Sequence, residues 1–292
     1  MHRTLDEVTP EDAAHIGGKA YNCARLRHAG FPVPDGLAIP SGASDSEIRS
    51  VVEAPWLAAQ PGEALFAVRS SGLGEDSEGH SFAGIHETYL NVARDGLVDA
   101  VFRCRASGAS QQAAAYRAAR QLEGAGESGG NSATAHTSAR IGVLVQRMVP
   151  AVASGVAFTV NPVSGADELV INAAPGLGEA LVSGQVDPDE FIVGKRDGLV
   201  VSRRLGSAGL ITTAPAISTP TLTAKQIADL AALLLRIEQH YGAPQDVEWC
   251  HDGRQFWIVQ SRPVTAIHSG RSQAGPEVSS HSGPRASNAR AA

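Results

Sequence analysis

Aromatic side chains make up only 5% of this 292-residue chain. A core so short of large flat groups must close by tight packing of small ones. The abundance of glycine (31 residues) and of alanine points to α/β packing with many loops. Cysteine is also scarce: Cys23, Cys104 and Cys250 lie far apart and are odd in number. That spacing excludes a paired metal-ligand motif and a disulfide framework, and reduced thiols in a cytoplasmic protein are the expectation. No apolar run approaches the roughly 20 residues that span a bilayer. The start, Met1-His2-Arg3-Thr4-Leu5-Asp6-Glu7, is polar and acidic, so no signal peptide is expected. There is no basic excess either. A net charge of −6 gives no support for a nucleic-acid surface, while phosphate binding needs only local cations.

What is present suffices for a sizeable core. Hydrophobic residues reach 43%, and the length allows one large domain or two smaller ones. Residues 16–29 read as a glycine-started helix with Ala20, Cys23, Ala24 and the Arg27 stem on one face. Strands are expected at 64–69 and 86–92, and a helix over 97–122 from its Ala, Gln and Arg content. Residues 41–62 read as a connector with one helical turn. Residues 124–138, rich in Gly, Ser, Asn, Thr and Ala, read as a flexible linker between a first lobe (1–123) and a second (139–267). Within the second lobe, strands are expected at 141–149, 154–160, 168–173, 190–195 and 198–204. A helix follows at 223–240, capped by Thr223 and with Ile227, Leu230, Leu234 and Ile237 at helical spacing. The Ser/Gly/Ala/Arg/Pro-rich tail, 268–292, is expected to be disordered.

The most informative segment is Pro244-Gln245-Asp246-Val247-Glu248-Trp249 through Ile258-Val259-Gln260-Ser261-Arg262-Pro263. Two β-prone runs flank His251-Asp252-Gly253, which reads as a hairpin. Asp246 and Glu248 share one face of the first strand, and Gln260 and Arg262 share one face of the second. Buried carboxylates beside an amide and a guanidinium are costly unless they bind something. Oxygen ligands of this kind suit Mg²⁺ and leave arginine for phosphate. A two-residue loop would put Glu248 and Gln260 on opposite faces. A three-residue loop, 251–253 with Gly253 left-handed, would put them on the same face.

Other segments carry weaker signals. Gly17-Gly18-Lys19 opens a helix, where glycines let phosphate approach and the helix N-terminus favours anions, although a plain turn has the same look. Arg69 ends a strand before a Gly/Ser loop running to Gly84, which suits either a lid holding polyphosphate or an ordinary solvated loop. His80 and His86 nearby lack a nucleophile or metal-ligand partner and read as structural or solvent-facing. Val143 to Pro150 reads as a buried strand, whose edge could offer backbone groups to an adenine between Val and Met side chains. Gly176 to Gly184 is glycine-rich with one acid, Glu179, suited to a ribose hydroxyl.

These segments occur together, in one order. The run comprises Gly17-Gly18-Lys19-Ala20 with Asn22, Ala67-Val68-Arg69-Ser70-Ser71, Glu75-Asp76 and Ser81 through Val92. It continues with Val145-Gln146-Arg147-Met148-Val149, Ser154 through Pro162, Gly176 to Gly184, Gln245 to Trp249 and Gln260-Ser261-Arg262-Pro263. In this it resembles the N-terminal nucleotide-binding domain of phosphoenolpyruvate synthase, pyruvate phosphate dikinase and rifampicin phosphotransferase. The resemblance covers residues 15–265. It implies an α+β, ATP-grasp-like fold: two lobes with mixed or antiparallel sheets flanked by helices, and the nucleotide in the cleft between them. It implies ATP and Mg²⁺ as cofactors. Lys19, Arg69 and Arg262 would act on the phosphates, Ser81 and Gly84 would form the lid, and Thr88 would be a further nucleotide contact. Gln146, Met148 and Val149 would hold the adenine and Glu179 the ribose, with Asp246, Glu248 and Gln260 as Mg²⁺ ligands.

In that family ATP phosphorylates a histidine on a separate swivelling domain, AMP is released, and the phosphoryl group passes to a small acceptor. Two departures stand out. The stretch between residues 40 and 64 is shorter than in the long enzymes, so part of the first lobe's helical cover is expected to be missing. No phosphohistidine domain is expected, since His281 sits in low-complexity sequence unlike a swivelling histidine. The expectation is an ATP-binding component of a split dikinase-type phosphotransferase, with a separate phosphohistidine protein and a small-molecule acceptor as partners. The alternatives are a stand-alone kinase or AMP-forming activator of a small molecule, and a non-catalytic nucleotide-binding module.

Overall fold

The computed structural model describes residues 2–73, 88–107, 141–178, 186–206 and 219–264. Elements are numbered in chain order. The strands are β1 (Arg3–Thr4), β2 (Gly36–Ile39), β3 (Phe66–Gly72), β4 (Thr88–Val92), β5 (Ile141–Arg147), β6 (Ala153–Phe158), β7 (Glu168–Pro175), β8 (Asp189–Gly194), β9 (Val200–Arg204), β10 (Gln245–His251) and β11 (Phe256–Pro263). The helices are α1 (Ala13–Ile16), α2 (Gly18–His28), α3 (Asp45–Arg49), α4 (Pro55–Ala58), α5 (97–107) and α6 (Ala224–Tyr241).

The strands form two sheets. One has the order β1-β2-β5-β3-β4 and the other β11-β10-β6-β7-β8-β9. Every described pairing is antiparallel. With the helices on their faces, this is an α+β fold.

Alternation of side chains gives the first sheet two faces. Leu37, Ile39, Phe66, Val68, Val143 and Val145 point to one side. They pack with Ile48, Val51 and Leu57 and with Leu97, Val101 and Cys104 of α5. Ala38 and Leu144 point to the other side and join the core that holds α2, α6 and the second sheet. Helix α6 starts with the reciprocal cap expected of Thr223: its hydroxyl accepts from the Gln226 amide, and the Gln226 side chain accepts from the Thr223 amide. It ends at Gly242, which is left-handed. Ile227, Leu230, Leu234 and Ile237 face Phe191, Val193, Val247, Trp249 and Ile258, and full burial of each is worth about 1.5–3 kcal/mol.

The glycine-started helix expected at 16–29 stands as α2, set off from α1 by Gly17 with φ 80° and ψ 166°. Two expectations are corrected. The connector at 41–62 holds α3, a 3-10 turn at Ser50–Glu53 and α4, and supplies core residues rather than one loose turn. The sheets divide between Arg147 and Ala153, not at 124–138. Strand β5 is the central strand of the first sheet, since its pattern of small apolar residues fits burial between β2 and β3. Of the mixed or antiparallel sheets expected, the described pairings are antiparallel. Residues 108–122, the linker at 124–138, the lid residues Ser81 and Gly84, Glu179, His80, His86 and the 268–292 tail lie outside the described residues. Among the described residues, no helix is long and apolar enough to cross a membrane.

Candidate functional site

The start of α2 is set by close contact with β3. A side chain at Gly17 would collide with the Ser71 carbonyl, and the backbone angles there are open only to glycine. The Ser71 hydroxyl in turn accepts from the Ala20 amide at 3.2 Å. Lys19 is therefore held on the first turn of an 11-residue helix, where the free amides favour an anion.

The hairpin β10–β11 turns through Asp252–Gln255, four residues long. The Asp252 amide donates to the Gln255 carbonyl at 3.2 Å. The Asp252 carboxylate accepts from the amides of Arg254 and Gln255 and from the Trp257 indole. These bonds, the indole first, hold its pKa down at about 2. This loop pairs His251 with Phe256 and Trp249 with Ile258, a register that would put Glu248 opposite Val259. Instead the register shifts between Glu248 and Trp249, Val259 is the extra residue, and Glu248 faces Gln260 while Asp246 faces Arg262. The shared face expected of a three-residue loop is thus produced by a four-residue loop and a bulge.

The bulge also turns the Val259 carbonyl toward the first sheet. Arg69 of β3 donates to it at 2.8 Å, and the Cys23 thiol of α2 donates to it at 3.4 Å. The same guanidinium reaches the Glu248 carboxylate at 2.5 Å and the Gln260 side-chain oxygen at 2.7 Å. Arg262 pairs with Asp246 through Nε and Nη2, both at 2.8 Å. Burial pushes the Asp246 carboxyl above its ordinary pKa against the pull of Arg262. Burial likewise pushes the Cys23 thiol up to about 11, with Arg69, Glu248, Gln146 and Lys19 all close enough to act on it.

Each carboxylate uses one oxygen, Asp246 Oδ2 or Glu248 Oε2, for arginine. Its other oxygen has no hydrogen bond to the described residues. Among the described residues, no third His, Cys, Asp or Glu completes an all-protein metal cage. Mg²⁺ needs none, because it is held by one or two carboxylates with water and substrate phosphates. Two hard oxygens and an amide on one strand face, one of them on an acid raised by burial, fit that ion.

The structure brings together Arg69, Asp246, Glu248, Gln260 and Arg262 where the two sheets meet, and Lys19 is close enough to act on the neighbouring Cys23. Thr88 lies at the rim, exposed and opposite Arg69 across β3–β4. Gln146 is buried beside Cys23 and its amide points to the Pro34 carbonyl at 3.4 Å. The strand expected at Val143 to Pro150 is not at a sheet edge. Strand β5 is central, and the amides of Arg147 and Met148 are bonded to the carbonyls of Asp35 and Leu65, each at 2.8 Å. Val149 is buried and its carbonyl accepts from Ala151 at 2.8 Å. Sequence reasoning missed the contacts Cys23 makes in the site and the Val259 carbonyl. The four-residue step from Lys19 to Cys23 could have flagged the first, since it puts both on one helix face. Nothing in the residue types signals the bulge.

Over residues 45–282 the chain matches the family described as the pyruvate phosphate dikinase AMP/ATP-binding domain. It is 32% identical to a probable phosphoenolpyruvate synthase of Archaeoglobus fulgidus, over 94% of this chain and 43% of that protein. It is 41% identical to a rifampicin phosphotransferase of a Streptomyces species, over 90% of this chain and 29% of that protein. The chain therefore spans less than half the length of these curated relatives. Among solved structures it is loosely similar to D-alanine-D-alanine ligase from Helicobacter pylori, with 8% identity, a TM-score of 0.41, and coverage of 87% of this chain and 54% of that one. By a family match that runs through Arg69 and the whole β10–β11 hairpin, the chain belongs to the pyruvate phosphate dikinase AMP/ATP-binding domain family.

Proposed function

We propose that this chain is the ATP-binding component of a split dikinase-type phosphotransferase. It uses Mg·ATP to phosphorylate a histidine on a separate partner protein, AMP is formed, and the phosphoryl group goes on to a small acceptor. The observation that carries this reading is Arg69 of one sheet clasping Glu248, Gln260 and the Val259 carbonyl of the other. The cluster joins cations for phosphate to oxygen ligands for a metal, which is what phosphoryl transfer by positioning and charge neutralisation requires. The match to a family of AMP/ATP-binding domains supports the same reading.

In this reading Lys19, at the α2 N-terminus, and the two arginines bind the phosphates. Asp246, Glu248 and Gln260 hold Mg²⁺, which supplies charge neutralisation between phosphate oxygens. The base lies near the turn from β5 to β6, against Gln146, Met148 and Val149. The Arg147 and Met148 amides are already bonded there, so side chains and the remaining backbone groups form the contact. Ser81, Gly84 and Thr88 close over the phosphates, and Glu179 takes the ribose.

The test is calorimetric titration with ATP, with and without Mg²⁺, on the wild type and the Asp246→Ala, Glu248→Ala double variant. Nucleotide products are then followed with and without a purified phosphohistidine-domain protein. Magnesium-dependent binding that the double variant loses, followed by AMP formed only with the second protein, is expected. AMP or ADP formed with a small molecule alone would replace the split scheme with direct activation. Tight binding without turnover under any condition would leave a nucleotide-binding module.

A further inference from the structure

The face of the second sheet that carries Asp246 and Glu248 continues well beyond them. The core facing α6 takes Val247, Trp249, Ala153, Ala157, Leu169, Ile171, Ala173, Phe191 and Val193. Their neighbours along each strand therefore point the other way. Register aligns those neighbours in two rows across the strands. One row runs Gln260, Glu248, Val156, Asn172, Glu190 and Arg204. The other runs Arg262, Asp246, Phe158, Val170, Ile192 and Ser202.

The rows carry charged groups at both ends and are mostly apolar between. At the β10–β11 end stand Arg69, Arg262 and the two metal-type carboxylates. The middle is apolar, with Val156, Phe158, Val170 and Ile192. The far end carries Glu190 and Arg204, 3.9 Å apart. In the nucleotide reading above the phosphates lie at the first end, so the rest of a nucleotide extends over the middle.

Asn172 is the one polar group in that middle. It is half-buried, and its side chain has no hydrogen bond among the described residues. Of the other three described asparagines, Asn91 is exposed on β4, and two are tied down. Asn161 bonds Glu168 and the amides of Val163 and Ser164, and Asn22 is buried with a partner. An amide carries no charge and both donates and accepts, so it matches a neutral hydroxyl rather than a phosphate or a cation. Asn172 is two strands from Glu248, about 10 Å by sheet spacing. That is the scale of the step from terminal phosphates to sugar.

We propose that Asn172 is a specificity-determining residue that hydrogen-bonds a ribose hydroxyl of the bound nucleotide. The inference rests on the nucleotide reading above and deepens it. Covering this half-buried amide with a ligand that cannot pair with it leaves a polar group stripped of water, and that is the source of discrimination.

The test is calorimetry on the full chain with Mg²⁺ complexes of ATP, 2′-deoxy-ATP, 3′-deoxy-ATP and GTP. The wild type is expected to bind one deoxynucleotide about tenfold more weakly than ATP. Asn172→Ala should lose about the same factor for ATP and nothing for that deoxynucleotide, with the ATP to GTP ratio unchanged. Asn172→Ser, which keeps a hydroxyl, should recover part of the loss. Equal affinity of the wild type for ATP and both deoxynucleotides would overturn the inference without any variant. So would an Asn172→Ala loss shared by all four nucleotides, or no loss at all. Failure of the wild type to bind ATP would instead remove the proposed function.

Discussion

The Arg69 guanidinium and the Glu248 carboxylate, 2.5 Å apart, belong to different sheets, and their pairing closes the junction where the candidate site lies. In this arrangement a phosphate-type cation occupies a metal-type ligand. Arg262 and Asp246 repeat the pattern one step along the hairpin. Nucleotide and metal would each take over one member of each pair, so they are expected to enter together.

Replacing Arg69 tests this directly. Arg69→Gln should reduce turnover about 10²–10³-fold by removing transition-state charge stabilisation. In the absence of nucleotide it should tighten Mn²⁺ binding, because Glu248 loses its competing cation. Electron paramagnetic resonance of free Mn²⁺ reads the second effect. Weaker Mn²⁺ binding would mean that Arg69 places Glu248 rather than competes for it.

Gly17→Ala should destabilise the fold by about 2 kcal/mol, since the backbone there is closed to other residues and the new methyl meets the Ser71 carbonyl. Gly30 also has a positive φ, 78°, but open space around it, so Gly30→Ala should cost less. Chemical denaturation of both variants compares them, and equal costs would remove the contact with Ser71 from the account.

Asp252 sets an acid limit on the hairpin. Its folded pKa is depressed to about 2, so its contribution is complete above the ordinary aspartate value near 4 and is lost as pH falls from there toward 2. Asp252→Ala should cost about 1 kcal/mol at pH 7 through its lost turn bonds. Its stability should depend less on pH than the wild type's between 4 and 2. Parallel pH profiles for the two proteins would contradict this.

Cys23 should be inert in the folded protein. Its thiol is buried at 1% exposure and its pKa is about 11, which leaves almost no thiolate at pH 8. Iodoacetamide is expected to leave it unlabelled in buffer and to label it in urea, as read by mass spectrometry. Labelling of the native protein at the rate of a free thiol would show that the α2–β11 seam opens.

Much of the fold was legible in residue order. The Thr223 cap and the spacing Ile227, Leu230, Leu234, Ile237 mark α6, because helix starts and apolar stripes are local features. Strands β3, β6, β7 and β10 stand close to their expected bounds for the same reason. The assignment of β5 was not legible, because a run such as Val143-Leu144-Val145 says that a strand is buried on both faces without saying in which sheet. The segment at 41–62 reads as a connector because its helices are short, with Ala43, Ile48, Val51, Ala54 and Leu57 reaching the core singly rather than as a helical stripe.

Sequence alone determined the chemistry available to this protein: the charged side chains, their grouping on strand faces and their order along the chain are local properties of residue type and of the two-residue strand repeat. The tertiary structure decided which of those faces meet. A single extra residue at Val259 shifts the pairing by one and puts Gln260 beside Glu248. The crossing of two sheets brings Arg69 to that pair from 179 positions away. Neither is written in local propensity, because a bulge costs little in isolation and is selected by the long-range contacts that Cys23 and Arg69 make to its carbonyl.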